Sequence, residues 1–117
     1  MATAASTVDW DTVERGFPYP GVTRQTVVTA DATLTRYTYA PGCVFPVHQH
    51  SDAQITVVHS GTIEFEVAGQ LMIVRAGQVA LIPSGVPHGA RVTASDVVVT
   101  DNYFASAQRA PLEMREE

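Results

Sequence analysis

Short alternations of apolar and polar residues, rather than repeats at helical spacing, run through most of the chain. Val and Thr are abundant and cluster in stretches that end at Gly, Pro, Asp or Ser. This pattern is typical of β-strands that bury one face. It predicts about nine or ten short strands. The clearest of them span residues 22–29, 33–40, 44–50, 54–59, 63–67, 71–75, 79–82, 90–92 and 96–104.

The two ends of the chain lack this pattern. Residues 1–20 are predicted to be irregular, because Phe17-Pro18-Tyr19-Pro20 cannot lie inside a helix. The polar tail, 105–117, is predicted to be a short helix or frayed. Many short strands at close spacing, with no clear helix and no internal repeat, predict an all-β sandwich or barrel. We expect one such domain over residues 21–104.

Composition narrows the range of partners. The chain has 117 residues and a formal net charge of −5, and its seven basic residues are all arginines. No basic patch is visible, which argues against a nucleic-acid partner, and the absence of lysine removes Schiff-base chemistry. Residues 1–9 do not resemble a signal peptide, and no apolar run reaches the ~20 residues that span a bilayer. We therefore expect no membrane partner and a cytoplasmic location.

Three of the four histidines can meet on one face of the predicted fold. His48 and His50 are two apart on one strand, so both imidazoles point the same way. Gln54 follows a tight turn, and His88 lies at a loop–strand junction. Neutral imidazole is the commonest metal ligand, and a three-histidine face leaves coordination positions open, as catalytic sites do. The alternative is that these histidines are surface or core residues, since pairs with this spacing occur in both places. The fourth histidine, His59, should face away from Gln54.

The spacing around these histidines supplies a further argument. The chain contains Gly42-x5-His48-x-His50-x3-Gln54-x6-Gly61 and then Gly77-x5-Pro83-x-Gly85-x2-His88. These two blocks resemble the paired motifs of the cupin superfamily, over roughly residues 20–104. The resemblance implies a double-stranded β-helix, or jelly-roll barrel. It also implies one divalent transition metal ion, such as Zn, Fe, Ni or Mn, held in the barrel mouth by His48, His50, Gln54 and His88.

Two positions depart from the cupin motifs. Gln54 stands where glutamate is usual, and Val92 stands where the second motif usually has asparagine. An amide oxygen offsets none of the ion's charge, so the ion should be a stronger Lewis acid than one bound by a carboxylate. Gln54 also cannot act as a general base. The alternative is that Gln54 does not bind the ion and only hydrogen-bonds a liganding histidine.

The last predicted strand offers two sets of candidate catalytic residues. If Phe104 faces the interior, Asn102 and Thr100 do so as well, and Asp101 and Tyr103 face away. A bulge would reverse these faces. We expect one pair, either Asn102 with Phe104 or Asp101 with Tyr103, to line the pocket. The alternative is that all of them pack between sheets.

The last strand is also relevant to a resemblance between this chain and a smaller group within the cupins. Several blocks look like the cupin group that includes the pectin-degradation enzyme, which converts unsaturated uronates to a linear keto form. That group implies an Asp-x-Phe pair on the last strand and an arginine shortly after it. Alignment on Phe104 puts Asn102 at the aspartate and Gln108 at the arginine, and both are departures. Asp101 and Arg109 lie one position away and would substitute for them if the strand shifted.

Three functions follow as hypotheses. The first is a non-redox, metal-dependent isomerase, lyase, dehydratase or cyclase, in which the ion polarises a carbonyl or hydroxyl and Asp101 or a bound water moves the proton. The second is a dioxygenase using Fe, Ni or Mn, and the absence of glutamate at Gln54 argues mildly against it. The third is a non-catalytic module that binds a small ligand. Each acts on a small molecule, and the family resemblance implies a homodimer.

Overall fold

A computed structural model describes residues 5–30, 32–93 and 95–105. The described residues form ten strands and one short 3-10 turn, Trp10–Thr12. In chain order the strands are β1 (Gly16–Tyr19), β2 (Val22–Val28), β3 (Thr33–Tyr39), β4 (Val44–His48), β5 (Ala53–Ser60), β6 (Thr62–Val67), β7 (Gln70–Arg75), β8 (Val79–Ile82), β9 (His88–Arg91) and β10 (Val98–Ala105). None of the described segments is a helix long and apolar enough to cross a membrane.

The strands form two antiparallel sheets. The larger has six strands in the order β1-β2-β3-β10-β5-β8, and the smaller has four in the order β4-β9-β6-β7. Several neighbours, such as β3 with β10 and β4 with β9, come from distant parts of the chain, which is the crossover pattern of a jelly roll. The prediction of an all-β jelly-roll barrel is therefore confirmed.

Alternation along the strands determines what lies between the sheets. In β5 the buried residues are Gln54, Thr56 and Val58, and the residues between them point outward. One end of the interior is apolar and contains Ile63, Val98 and their neighbours. The other end carries polar side chains and the histidines. Apolar side chains thus fill one end of the barrel interior, and the polar and histidine side chains lie at the other end.

The N-terminal segment is more ordered than the sequence suggested. We expected residues 1–20 to be irregular, but Gly16–Tyr19 form β1, so the sheet begins before residue 21. Proline excludes helix interior but is tolerated on an edge strand, and β1 is an edge strand. The 3-10 turn before it packs against the outer face of the larger sheet, where Gln25 Nε2 donates to the Trp10 carbonyl at 2.8 Å.

Several predicted strands have different ends in the structure, and two of these differences involve the histidines. β4 ends at His48 rather than at residue 50, and β9 begins at His88 rather than at residue 90. The cause is pairing, because His48 and His88 lie directly opposite each other in the β4–β9 ladder. The predicted tail beyond Ala105 lies outside the described residues, as does Asp31.

Candidate metal centre

The three motif histidines meet at the open end of the barrel. His48 and His88 are cross-strand partners on β4 and β9 of the smaller sheet, and His50 lies two residues beyond the end of β4. Gln54 enters from β5 of the larger sheet and points inward. The cluster therefore bridges the two sheets where they diverge.

Backbone contacts hold the two loops of the cluster together. The Gly85 N–H donates to the His50 carbonyl at 2.9 Å, and the Ser84 hydroxyl donates to the Ser51 carbonyl. Gly89 follows His88 at a point of close approach between strands, where an added Cβ would lie 3.0 Å from the Phe45 carbonyl oxygen. A glycine there lets β9 lie close to β4, so that His48 and His88 face one another.

Each imidazole donates its Nδ1 proton to a backbone carbonyl two residues away. The three contacts are His48 Nδ1 to Pro46 O at 3.0 Å, His50 Nδ1 to Asp52 O at 2.8 Å and His88 Nδ1 to Val86 O at 2.8 Å. A carbonyl oxygen only accepts, so each neutral ring carries its proton on Nδ1 and leaves a lone pair on Nε2. The fold thus puts all three rings in the tautomer that binds a metal through Nε2.

The free ring nitrogens are suited to a cation. One ring nitrogen from each histidine lies within 4.8 Å of the others. His88 is 2% exposed, and its Nε2 is buried with no hydrogen-bond partner among the described residues. Burial lowers the pKa of His88, and the neighbouring His48 and His50 lower it further, which keeps the ring neutral. A buried lone pair without a proton to accept is costly unless an ion satisfies it, so these histidines are positioned to hold a metal ion.

Gln54 lies against this cluster. Its Oε1 is 3.3 Å from His50 Nε2, and its Nε2 donates to Thr56 Oγ1 at 2.8 Å. The side chain is 7% exposed. The structure thus brings all four predicted ligands together, three through free ring nitrogens and the fourth through an amide oxygen.

The last strand keeps regular alternation beside the cluster. The ladder between β10 and β5 shifts register only between Val99 and Thr100, before the candidate residues. Asn102 is therefore inward and 2% exposed, and the Phe104 ring lies edge-on to His50 with centroids 5.5 Å apart. Asp101 and Tyr103 point to the opposite face of the sheet. The structure does not bring either of these two predicted catalytic residues to the histidines, because no bulge reverses the strand there.

Asp101 instead joins an ion-pair network on the outer face. Its carboxylate accepts from Arg36 Nε and Nη2 at 2.8 and 2.9 Å, and His59 Nε2 lies 2.8 Å from it. Burial alone would raise the pKa of Asp101, but hydrogen bonds from Arg36 and His59 outweigh burial and lower it. The Arg36 guanidinium also lies 4.5 Å from the centre of the Trp10 ring. His59 faces away from the metal cluster, as predicted.

A pocket of about 350 Å³ opens beside the histidines. Aromatic rings form much of its wall, and Arg24 lines it without an acidic partner among the described residues. Tyr37 also lines the pocket, and burial raises its pKa more than the neighbouring Arg24 lowers it. The sequence analysis missed Arg24, because its face depends on the β2–β3 register, in which Arg24 pairs with Tyr37.

Three sequence expectations about the site concern other positions. Gln108 and Arg109, which align at or near an arginine of the pectin-degradation group, lie outside the described residues. Val92, where the second motif usually has asparagine, is a core residue that is 2% exposed. Its backbone exchanges hydrogen bonds with the segment from Gly42 to Cys43, so this position closes the core rather than the pocket.

Comparisons with known proteins agree with this geometry. Residues 35–101 match the model of a family described as Cupin domain. No curated protein sequence matches the chain. Among solved structures, KdgF from a Halomonas species has 24% identity and a TM-score of 0.75, with 92% of this chain and 99% of that one covered. The polyketide cyclase RemF from Streptomyces resistomycificus has 21% identity and a TM-score of 0.75, with 86% and 79% covered.

A third solved structure of the same fold is a predicted oxalate decarboxylase from Thermotoga maritima. It has 19% identity and a TM-score of 0.76, with 86% of this chain and 99% of that one covered. At these sequence identities the likeness establishes the fold alone. The chemistry must be argued from the residues of the site.

Proposed function

The chain belongs to the cupin family, and from that premise we propose that it is a metal-dependent enzyme that performs a non-redox reaction on a small anionic molecule. The reaction class is isomerase, lyase, dehydratase or cyclase. One observation carries the proposal: three histidines are fixed by backbone carbonyls in one tautomer, and their free nitrogens converge beside a pocket.

The proposed ligands are His48, His50, His88 and Gln54, all of which are uncharged. A divalent ion held by them would supply Lewis acidity toward a carbonyl or hydroxyl oxygen of the substrate. None of the described pocket-lining residues is an aspartate or glutamate. The ion's full positive charge would therefore act on the substrate without a carboxylate to offset it.

Arg24 supports the assignment of an anionic substrate. Its guanidinium lines the same pocket as the histidines and has no acidic partner among the described residues. A planar guanidinium binds a carboxylate through two parallel hydrogen bonds. We infer that Arg24 binds a substrate carboxylate while another oxygen of the substrate reaches the ion. Such a substrate has at least two oxygen functions separated by a short carbon frame.

Tyr37 is the candidate hydrogen-bond donor of the pocket. Burial raises its pKa, and the neighbouring Arg24 lowers it by less, so the hydroxyl keeps its proton at neutral pH. A phenol in this state donates to an oxygen that gains negative charge during the reaction. Phe104 and Phe45 line the pocket beside His50 and His48, with ring centroids 5.5 and 4.9 Å away. These rings exclude water from the reacting groups.

The test is a substrate panel assayed with and without oxygen. Protein loaded separately with Zn, Ni, Mn or Fe is offered unsaturated uronates, keto acids, diketones and flavonols. The proposal expects turnover that persists under strict anaerobiosis and disappears with a chelator. Oxygen consumption would instead support a dioxygenase. Thermal shifts without turnover of any compound would support a binding module.

A pair of arginine variants tests substrate charge. Arg24→Gln should raise KM for carboxylate substrates by about 10- to 100-fold, with little effect on neutral compounds. Arg91→Gln is the matched control, because Arg91 pairs with Glu64 on the outer face at 2.8 Å. An equal effect of both variants would contradict the role of Arg24.

A further inference from the structure

A buried polar network lies beneath the histidine cluster, between β3, β5 and β10. Its side chains are Gln54, Thr56, Thr100 and Asn102, and the Thr35 carbonyl also belongs to it. Thr56, Thr100 and Asn102 are at most 2% exposed. Buried polar groups that form such a network must match donor to acceptor at every contact. The direction of each hydrogen bond can therefore be worked out from one contact of known polarity.

That contact is the Thr35 carbonyl, which can only accept. Asn102 lies 3.3 Å from it and must turn its Nδ2 toward it. The second proton on Nδ2 reaches Thr100 Oγ1 at 3.2 Å. If the amide were reversed, Asn102 Oδ1 would face the Thr35 carbonyl oxygen at 3.3 Å with no proton between the two oxygens. The Oδ1 of Asn102 is therefore fixed on the opposite side, toward Thr56 and Gln54.

The same reasoning determines the orientation of the Gln54 amide. Thr56 donates its hydroxyl proton to Asn102 Oδ1, so its oxygen is left to accept. Gln54 Nε2 lies 2.8 Å from that oxygen and 3.4 Å from Asn102 Oδ1, and both of these atoms are acceptors. Both amide protons of Gln54 are thereby directed away from the histidines. Its Oε1 must point toward them.

This orientation places two lone pairs opposite one another. Gln54 Oε1 lies 3.3 Å from His50 Nε2, whose ring carries its proton on Nδ1. Neither atom can donate to the other, so the contact is unfavourable unless a cation lies between the two atoms and the other free ring nitrogens. With the His50 ring neutral, the network thus maintains an arrangement that a bound cation makes favourable.

We propose that Thr56 and Asn102 are positioning residues that orient the Gln54 amide as an oxygen ligand before any ion arrives. The inference rests on the proposed function, since a preset oxygen matters only if a metal ion binds there. Asn102 occupies the position that the sequence analysis offered for catalysis. Its role here is exerted through Gln54, not by contact with substrate.

The chain offers a matched pair of variants. Thr56→Val removes the hydroxyl that accepts from Gln54. Thr35→Val also removes a buried hydroxyl, but among the described residues that hydroxyl hydrogen-bonds only Thr26, at 3.3 Å, and the backbone carbonyl that anchors Asn102 remains. Both substitutions preserve side-chain shape, and both sites flank Asn102 in the larger sheet. Thr56→Val leaves Gln54 Nε2 and Asn102 Oδ1 short of a hydrogen bond and should cost more stability than Thr35→Val. Metal binding is therefore compared under conditions in which both variants are fully folded, so that a difference reports the orientation of Gln54.

Metal binding is measured with Co²⁺ alone, by competition with a chromophoric chelator and by the visible absorption of the bound ion. Loss of a residue that orients a ligand typically weakens metal affinity 10- to 100-fold. We expect Thr56→Val to weaken Co²⁺ binding by about tenfold and to change its spectrum. Thr35→Val should match the wild type within about twofold. Equal affinity and identical spectra for both variants would overturn the inference while leaving the metal site intact.

A second measurement needs no metal and no variant. In metal-free protein, nuclear Overhauser contacts should join the Gln54 side-chain amide protons to Thr56 and not to the His50 ring proton between its nitrogens. Contacts to that ring proton would mean that the amide is reversed and would overturn the inference. If the amide is oriented as expected but the wild type binds no Co²⁺, the proposed function fails and the inference about a preset ligand fails with it.

Discussion

Replacement of His88 by leucine separates the contribution of a metal ion from that of ordinary packing. His88 is 2% exposed, and its Nε2 is buried and has no hydrogen-bond partner in the described part of the chain. In metal-free protein His88→Leu removes this unsatisfied nitrogen, which relieves about 1–3 kcal/mol. It also leaves the Val86 carbonyl without its donor, which costs a similar amount. We therefore expect the metal-free variant to unfold within about 1 kcal/mol of the wild type.

An ion changes this balance. Binding that is specific to the folded state stabilises it by about 2.7 kcal/mol when the free ion is at 100 times its Kd. For a chain of this size, 1 kcal/mol corresponds to roughly 4 °C in Tm, so wild-type protein should melt about 11 °C higher with saturating metal than with chelator. His88→Leu should lose this shift. Differential scanning fluorimetry with Zn²⁺, Ni²⁺ or Co²⁺ measures both values.

The fourth histidine provides the control for this experiment. His59→Leu alters a residue of the outer face that contacts Asp101 and lies away from the cluster. It should retain the full metal-dependent rise in Tm. Identical melting of wild-type protein with metal and with chelator would refute the reasoning, as would a metal-dependent rise that survives in His88→Leu.

Three further predictions address other parts of the molecule. Asp101→Asn should lower the free energy of unfolding by about 1–2 kcal/mol at pH 7, as measured by urea titration. Because pairing with Arg36 holds the pKa of Asp101 below its usual value, this difference should shrink as pH falls below about 4. A difference that stays constant with pH would contradict this role of the pair. Gly89→Ala would put a Cβ 3.0 Å from the Phe45 carbonyl and should cost about 1–3 kcal/mol in the same assay, so unchanged stability would refute the close approach. Gln54→Glu should keep the metal but move the pH profile of activity upward, since a carboxylate offsets part of the ion's charge; an unmoved profile would mean that residue 54 is not a ligand.

Local patterns in the sequence predicted the all-β class and most of the strands, and the jelly-roll arrangement was implied by the resemblance of the motifs. Alternation and turn residues predicted nine strands close to their observed positions, because each strand buries one face and ends at a residue that favours turns. β1 was missed because prolines 18 and 20 interrupt the pattern, and an edge strand tolerates proline where a central strand does not. Its pairing with β2 is a tertiary contact that no local pattern encodes.

The candidate site was predictable only in part. Motif spacing and the cupin resemblance predicted His48, His50, Gln54 and His88 as ligands, and the structure brings these four side chains together. The faces of Asp101 and Asn102 could not be assigned, because a single bulge exchanges them and a bulge leaves no reliable mark in the sequence. Arg24 was not predicted because its position in the pocket depends on the register between β2 and β3.

The four proposed metal ligands differ in which groups orient them. Main-chain oxygens orient the imidazoles of His48, His50 and His88, and a main-chain oxygen is present whichever residue occupies its position. Neighbouring substitutions therefore leave those rings unaltered as long as the local chain path survives. The Gln54 amide depends on the side chains of Thr56 and Asn102. Among related proteins, a single substitution at either of those two positions would change the orientation of the Gln54 amide and so the reactivity of the proposed metal ion, while the imidazoles stay as they are. The side chains around Gln54 are therefore where we expect the chemistry of the site to change with the fewest substitutions.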